Sequence, residues 1–292
     1  MAEAGELQLK LLEAQNADGG WGYQKGSSWT EPTALALLAL EAHQCKGSAY
    51  DRACAWLRTK QRLDGGWAPN PSVDTSTWVT TLVLLALPEM DFLAGKYQGA
   101  VNWTIQQIRP EPTALERLIL RVRGLPHIEE ISGGSPWFPA TAAWIGPTVM
   151  SVIALSEAER RKRDEGLRTY INRAKQYIVS RRCQDGGWNH GGTSFRSQNA
   201  ESYPEMTGMA LLALQGMPAS DLSASIERAE YLLSCPGSIE GLSWLQMGLM
   251  MQGRDHLDIR TDLVCRTTRD TCLRLLALAA HSSNNKLFLQ SR

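Results

Sequence analysis

Asp18-Gly19-Gly20-Trp21, Asp64-Gly65-Gly66-Trp67 and Asp185-Gly186-Gly187-Trp188 are three copies of one loop, and their surroundings decide the fold. The stretches that lead into them are apolar on one face only. Tyr50, Cys54 and Leu57 recur at helical spacing, with Asp51, Arg52, Arg58 and Lys60 on the other side. Ile171, Ala174 and Ile178 stand likewise against Arg173, Lys175 and Arg181, and Leu222, Ile226, Ala229 and Leu233 mark another such stretch. That one-sided pattern belongs to a helix with water along its outer face.

The stretches that follow the loops read differently. Thr33 to Leu40 and Thr81 to Leu87 are apolar all round, and Thr148 to Leu155, Thr207 to Leu214 and Thr271 to Leu278 repeat the pattern. A helix without a polar face must be covered on every side. Amphipathic outer helices alternating with apolar inner ones satisfy both requirements in a ring, with the inner helices around the axis. The sequence therefore predicts one all-α domain over 1–292, an α/α toroid of five or six helical pairs. Residues 110–144 carry Pro110, Pro112, Pro126, Gly133-Gly134 and Pro136, and are expected to form an irregular or degenerate repeat. In each loop the glycines let the chain leave the outer helix, the aspartate can bond nearby backbone amides, and the tryptophan can bury a large area between neighbouring helices.

Composition narrows the function classes. Of 292 residues, 43% are hydrophobic, and 30 lysines and arginines balance 30 aspartates and glutamates. A neutral balance gives no electrostatic reason to expect a nucleic-acid partner. No apolar run reaches the length of a membrane span, and the first residues lack the pattern of a secretory leader. The six cysteines form no CxxC pair and several sit in apolar helical patterns, as in a reducing, cytoplasmic compartment.

Gln15-Asn16-Ala17-Asp18-Gly19-Gly20-Trp21-Gly22 and Gln61-Arg62-Leu63-Asp64-Gly65-Gly66-Trp67 resemble the QW repeats of squalene–hopene and oxidosqualene cyclases, which also occur in protein prenyltransferase β subunits. The likeness covers roughly 1–90 and 165–280. The third copy departs from the pattern, since Arg182 stands where the glutamine would tie the loop to the next helix. The resemblance implies an α/α barrel with a hydrophobic central cavity, often for an isoprenoid. It is specific for the fold and not for a reaction.

Neither branch's chemistry is written in the chain. The paired-aspartate acid motif of class II cyclases would fall at an inner-helix start. With Thr80 on the family threonine, Trp78 and Val79 occupy the two aspartate positions, and Asp74 falls several residues early, in the loop. The prenyltransferase zinc set has only an echo: Leu242 replaces the ligand cysteine and Asp270 the ligand histidine, so no metal and no cofactor are expected. The Cys-Gly-Glu-Gln motif of thioester toroids is absent.

Two inner helices begin alike, with Glu31-Pro32-Thr33 and Glu205-Met206-Thr207, and Asp270-Thr271 is nearly the same. If inner helices run parallel, Glu31, Glu205 and Asp270 gather at one mouth of the ring and form its candidate acid site. Each also suits a helix N-terminus, where capping and the macrodipole favour a carboxylate by roughly 0.3–1 kcal/mol. Trp29, Trp78, Trp144 and Trp244 lie near inner-helix starts and are candidate substrate-binding faces, since an aromatic face attracts a cation. His190 and His256 are expected in solvated loops, and Glu157 to Arg168 as a charged connector into an outer helix. The expected function is a terpene-cyclase-like or prenyltransferase-like protein that binds or transforms an isoprenoid. The alternatives are a noncatalytic toroid that contacts a protein partner, one half of a split cyclase, or a prenyltransferase β-like subunit.

Overall fold

The computed structural model describes residues 2–87, 95–110, 133–191, 201–254 and 263–288, and four single positions between 115 and 122. The outer helices among them are α1 (Ala2–Glu13), α3 (Ser48–Thr59), α5 (Lys96–Gln107), α7 (Gly166–Ser180) and α9 (Ala219–Ser234). The inner helices are α2 (Thr30–Ala42), α4 (Val79–Ala86), α6 (Ile145–Lys162), α8 (Pro204–Ala213), α10 (Ile239–Met251) and α11 (Thr268–Leu278). Each inner helix packs on the next, and α11 returns to α2, so the six close a ring. The architecture is an all-α toroid. The only strands among the described residues are a two-residue antiparallel pair, β1 (Ser135–Pro136) and β2 (Ala143–Trp144).

The three loops share one set of bonds. Trp21, Trp67 and Trp188 are fully buried. Their indole N–H groups donate to Leu11, Leu57 and Ile178, near the ends of the preceding outer helices, at 2.8, 2.8 and 2.7 Å. Their backbone N–H groups donate to Thr33, Thr80 and Thr207 on the following inner helices at 2.9, 2.8 and 3.0 Å. This accounts for the threonine that recurs at inner-helix starts. Gln15 and Gln61 each donate to the loop glycine carbonyl and to the next outer helix, at Ala49 and Lys96. In the third copy Arg182 supplies the outward tie instead, reaching the Asp221 carbonyl at 3.0 Å. Glycine is required at position 65, where φ is +90° and a Cβ would come within 2.5 Å of the Gly99 carbonyl oxygen.

A fourth loop of the same kind lies in the stretch read as irregular. Gly133 has a φ of +88°, matching Gly65, and the Ser135 N–H donates to Thr148 on α6 at 2.8 Å. Serine stands where the other loops have tryptophan, so the motif is invisible to a search for Asp-Gly-Gly-Trp. One expectation needs correction: Glu157 to Lys162 are the last turns of α6 rather than a connector. Glu157 accepts bonds from Arg160 and Arg161, one turn on, and this self-paired cluster lets the helix continue.

The two ends of the ring differ. At the end where the inner helices finish, the C-terminal segment crosses over the ring. Ser282 donates to Ala42 of α2 at 2.7 Å, Asn285 to Leu276 of α11 at 2.9 Å, and Lys286 to Ala86 of α4 at 3.1 Å. These are carbonyls of the kind a helix leaves orphaned at its C-terminus. Leu287 is fully buried beneath the segment. Between first and last turns, every inner-helix residue is buried except Ser156 in the long α6. The middle turns of the inner helices are thus buried, mostly as leucines, alanines and methionines. The other end, where the inner helices start, is the mouth of the ring.

Candidate functional site

A belt of hydrogen bonds frames this mouth. The chain leaving each loop passes its carbonyls to a neighbouring inner helix. Tyr23 accepts from Thr268, Pro69 from Thr30, Trp137 from Trp78 and His190 from Ile145, at 2.8, 2.8, 3.3 and 3.1 Å. One backbone donor at each of these four helix starts is satisfied in this way.

Aromatic side chains stand at the N-cap of four successive inner helices: Trp29 before α2, Trp78 before α4, Trp144 before α6 and Tyr203 before α8. All four are partly or largely exposed. Trp78 meets Trp137 edge to face, with ring centres 4.8 Å apart, and Trp29 meets Tyr23 at 5.6 Å. The His190 ring bridges Trp144 and Tyr203 at 6.3 and 5.2 Å. Trp244 is different. Helix α10 starts earlier, at Ile239, capped by the Ser238 hydroxyl, which places Trp244 in its second turn, 3% exposed and away from the rim.

The other side of the mouth is charged. Arg269, at the start of α11, lies between two carboxylates, with Nε 2.9 Å from Glu31 of α2 and a terminal nitrogen 2.7 Å from Glu240 of α10. The Tyr23 hydroxyl donates to the second oxygen of Glu31. Burial and the Glu31 charge push the Tyr23 phenol far above its usual range, so it stays a donor. Burial raises the Glu240 carboxyl above the ordinary range, and Glu205 and Glu31 push the same way against the pull of Arg269. Glu205, at the start of α8, completes the group through this electrostatic contact.

Of the three acids expected to meet, Glu31 and Glu205 thus join the cluster and Asp270 does not. Asp270 closes a capping box: it accepts from the Arg266 and Thr267 N–H groups at 3.0 Å while the Thr267 hydroxyl accepts from its own N–H. Its oxygens serve helix α11. Sequence reasoning passed over Tyr23, Tyr203, Trp137, Glu240 and Arg269. Glu240 and Arg269 hold the helix-start positions that drew attention to Glu31 and Asp270, and that was the available signal. No three His, Cys, Asp or Glu side chains among the described residues come together as metal ligands. No described helix is long and apolar enough to cross a membrane.

With this geometry in hand, solved structures share the fold. The type II terpene cyclase MstE from Scytonema is 16% identical with a TM-score of 0.53, covering 98% of this chain and 82% of its own. The ent-copalyl diphosphate synthase from Streptomyces platensis is 15% identical with a TM-score of 0.57, covering 86% of this chain. This chain spans only 50% of that protein's length. The GH76 α-mannanase BT2949 from Bacteroides thetaiotaomicron is 9% identical with a TM-score of 0.66, covering 98% and 95%. The chain has a terpene-cyclase-like fold. At these identities the likeness concerns the fold alone. No protein-family model and no curated protein sequence matches the chain.

Proposed function

We propose that this chain binds an isoprenoid at the aromatic mouth of the toroid, and that Glu240 is the group placed to hand a proton to it. The observation that carries the reading is the row of aromatic N-caps, Trp29, Trp78, Trp144 and Tyr203, running along one side of the end of the ring where the inner helices start. Methyl-branched alkene chains pack well on ring faces, and a desolvated face adds on the order of 1–2 kcal/mol if positive charge develops on the ligand. Burial raises the Glu240 carboxyl, the direction a general acid requires. Glu31, Glu205 and Trp78 take part as neighbours of that acid and as a binding face. The likeness to MstE, whose structures include a complex with geranylgeranyl dihydroxybenzoate, supports an isoprenoid over other apolar ligands.

A saccharide is the second reading. Ring faces beside carboxylates also suit sugars, and the likeness to the α-mannanase covers 98% of this chain and 95% of that one.

Native mass spectrometry with squalene, geranylgeraniol and mannan oligosaccharides separates the two. The expected result is one bound isoprenoid per chain, lost in Trp78→Ala, with Glu240→Gln retaining binding and losing any turnover. Binding of the oligosaccharide alone selects the second reading. No adduct at all would sink both and leave a toroid that contacts other proteins.

A further inference from the structure

The mouth has two unlike arcs. From α2 through α4 and α6 to α8 the rim is aromatic: Trp29, Trp78 with Trp137, then Trp144 with Tyr203. From α8 through α10 and α11 back to α2 it is charged, with Glu205, Glu240, Arg269 and Glu31. We infer, resting on the isoprenoid reading above, that this rim sorts ligands by head group: it takes a long apolar chain ending in an uncharged or cationic hydrogen-bond donor, and turns diphosphates away.

Three features of the mouth support this. Arg269, the cation within this cluster, is engaged on both sides by Glu31 and Glu240, and a phosphate would have to displace one of them. The groups acting most strongly on Glu240 are that one guanidinium and two further carboxylates, so three acids face one base. Helix starts normally attract anions through free N–H groups, but here Thr30, Trp78, Ile145 and Thr268 donate theirs to loop carbonyls. The carboxylate oxygens and the aromatic rings are then the groups this arc and its neighbour offer a head group. An alcohol or an ammonium satisfies both, since each donates to a carboxylate and the ammonium also lies favourably on an indole. A diphosphate meets repulsion from the carboxylates, and the Arg269 guanidinium is already held between two of them.

The test holds the tail constant. Geranylgeraniol, geranylgeranylamine and geranylgeranyl diphosphate are titrated into the purified protein, following tryptophan fluorescence and confirming stoichiometry by native mass spectrometry. The alcohol and the amine are expected to bind, with the diphosphate at least about tenfold weaker. In Glu205→Gln, which removes a charge without breaking either Arg269 contact, the gap between amine and diphosphate narrows. If the diphosphate binds as tightly as the amine or more tightly, the sorting inference is overturned while the isoprenoid reading stands. If none of the three binds, both fall together.

Discussion

Glu41 and Glu240 sit at opposite ends of the same ring, both on inner helices and both largely buried, and their surroundings treat them in opposite ways. Burial works against the Glu41 charge, yet Lys286 at 2.6 Å and Lys46 at 2.9 Å hold its carboxyl below the ordinary range. Glu240 shares a single arginine with Glu31 and has Glu205 nearby, and its carboxyl is held above that range. One end is closed, charge-matched and tied down by the C-terminal segment. The other is left with excess negative charge and open ring faces. A fold optimised only for stability would compensate both ends, so the uncompensated one is where function is to be sought.

Four experiments break or sharpen this comparison. The largest effect is expected from Trp67→Ala, which empties a fully buried indole site and should cost about 3–5 kcal/mol. Because the same loop hands the Ala68 and Pro69 carbonyls to Thr30, hydrogen exchange should rise at the mouth end of α2 before it rises at Ala42. Equal loosening of both ends would mean the loop does not belong to the mouth.

Next comes a matched pair. Lys286→Met leaves Glu41 with a weaker partner in a buried place and should lower stability by about 2–4 kcal/mol. Glu240→Gln removes a repelled charge and should change stability by no more than about 1 kcal/mol. Denaturant midpoints of the two variants decide it, and equal losses would erase the distinction between the ends.

A smaller effect concerns pH. For Glu41 and the loop aspartates Asp18 and Asp185 the folded carboxyl is lower than the unfolded one, so their stabilisation is present above the unfolded value of about 4 and fades as pH falls through the folded value. Glu240 runs the other way. The unfolded chain loses its proton first, so its contribution declines as pH rises from about 4.5 through the folded value. Melting curves from pH 3 to 7 should flatten above about pH 5 in Glu240→Gln relative to the parent. An unchanged profile would contradict the raised carboxyl. The smallest effect is Arg182→Gln, which restores the tie of the other two loops in place of the bond to Asp221 and should shift the melting midpoint by the equivalent of about 0.5 kcal/mol or less.

Much of the fold was legible because the signal is periodic and repeated. The tryptophan loops, the one-sided outer helices and the all-apolar inner helices each exclude alternatives on local grounds. The loop at Gly133-Gly134-Ser135 escaped because its backbone conformation and its bond to Thr148 survive without the tryptophan. The site was legible only in part. Helix-start positions pointed to the rim where Glu31 and Glu205 lie, but nothing local separates Glu31, which meets Arg269 of the neighbouring α11, from Asp270, which folds back on Thr267. Trp244 shows the same limit, since a helix that begins five residues earlier takes it off the rim.

The sequence by itself determined the all-α ring, the order of inner and outer helices and the three tryptophan loops, because burial patterns and turn chemistry act over a few residues. Only the tertiary structure decided that residues 282–286 tie down the ends of α2, α4 and α11, and that Tyr23, Glu31, Glu205, Glu240 and Arg269 form one charged arc. The farthest of those groups in the chain, Tyr23 and Arg269, are 246 positions apart (269 − 23). Their ionisation depends on which partners the closure of α11 onto α2 brings within a few ångströms, and local pattern carries no record of that.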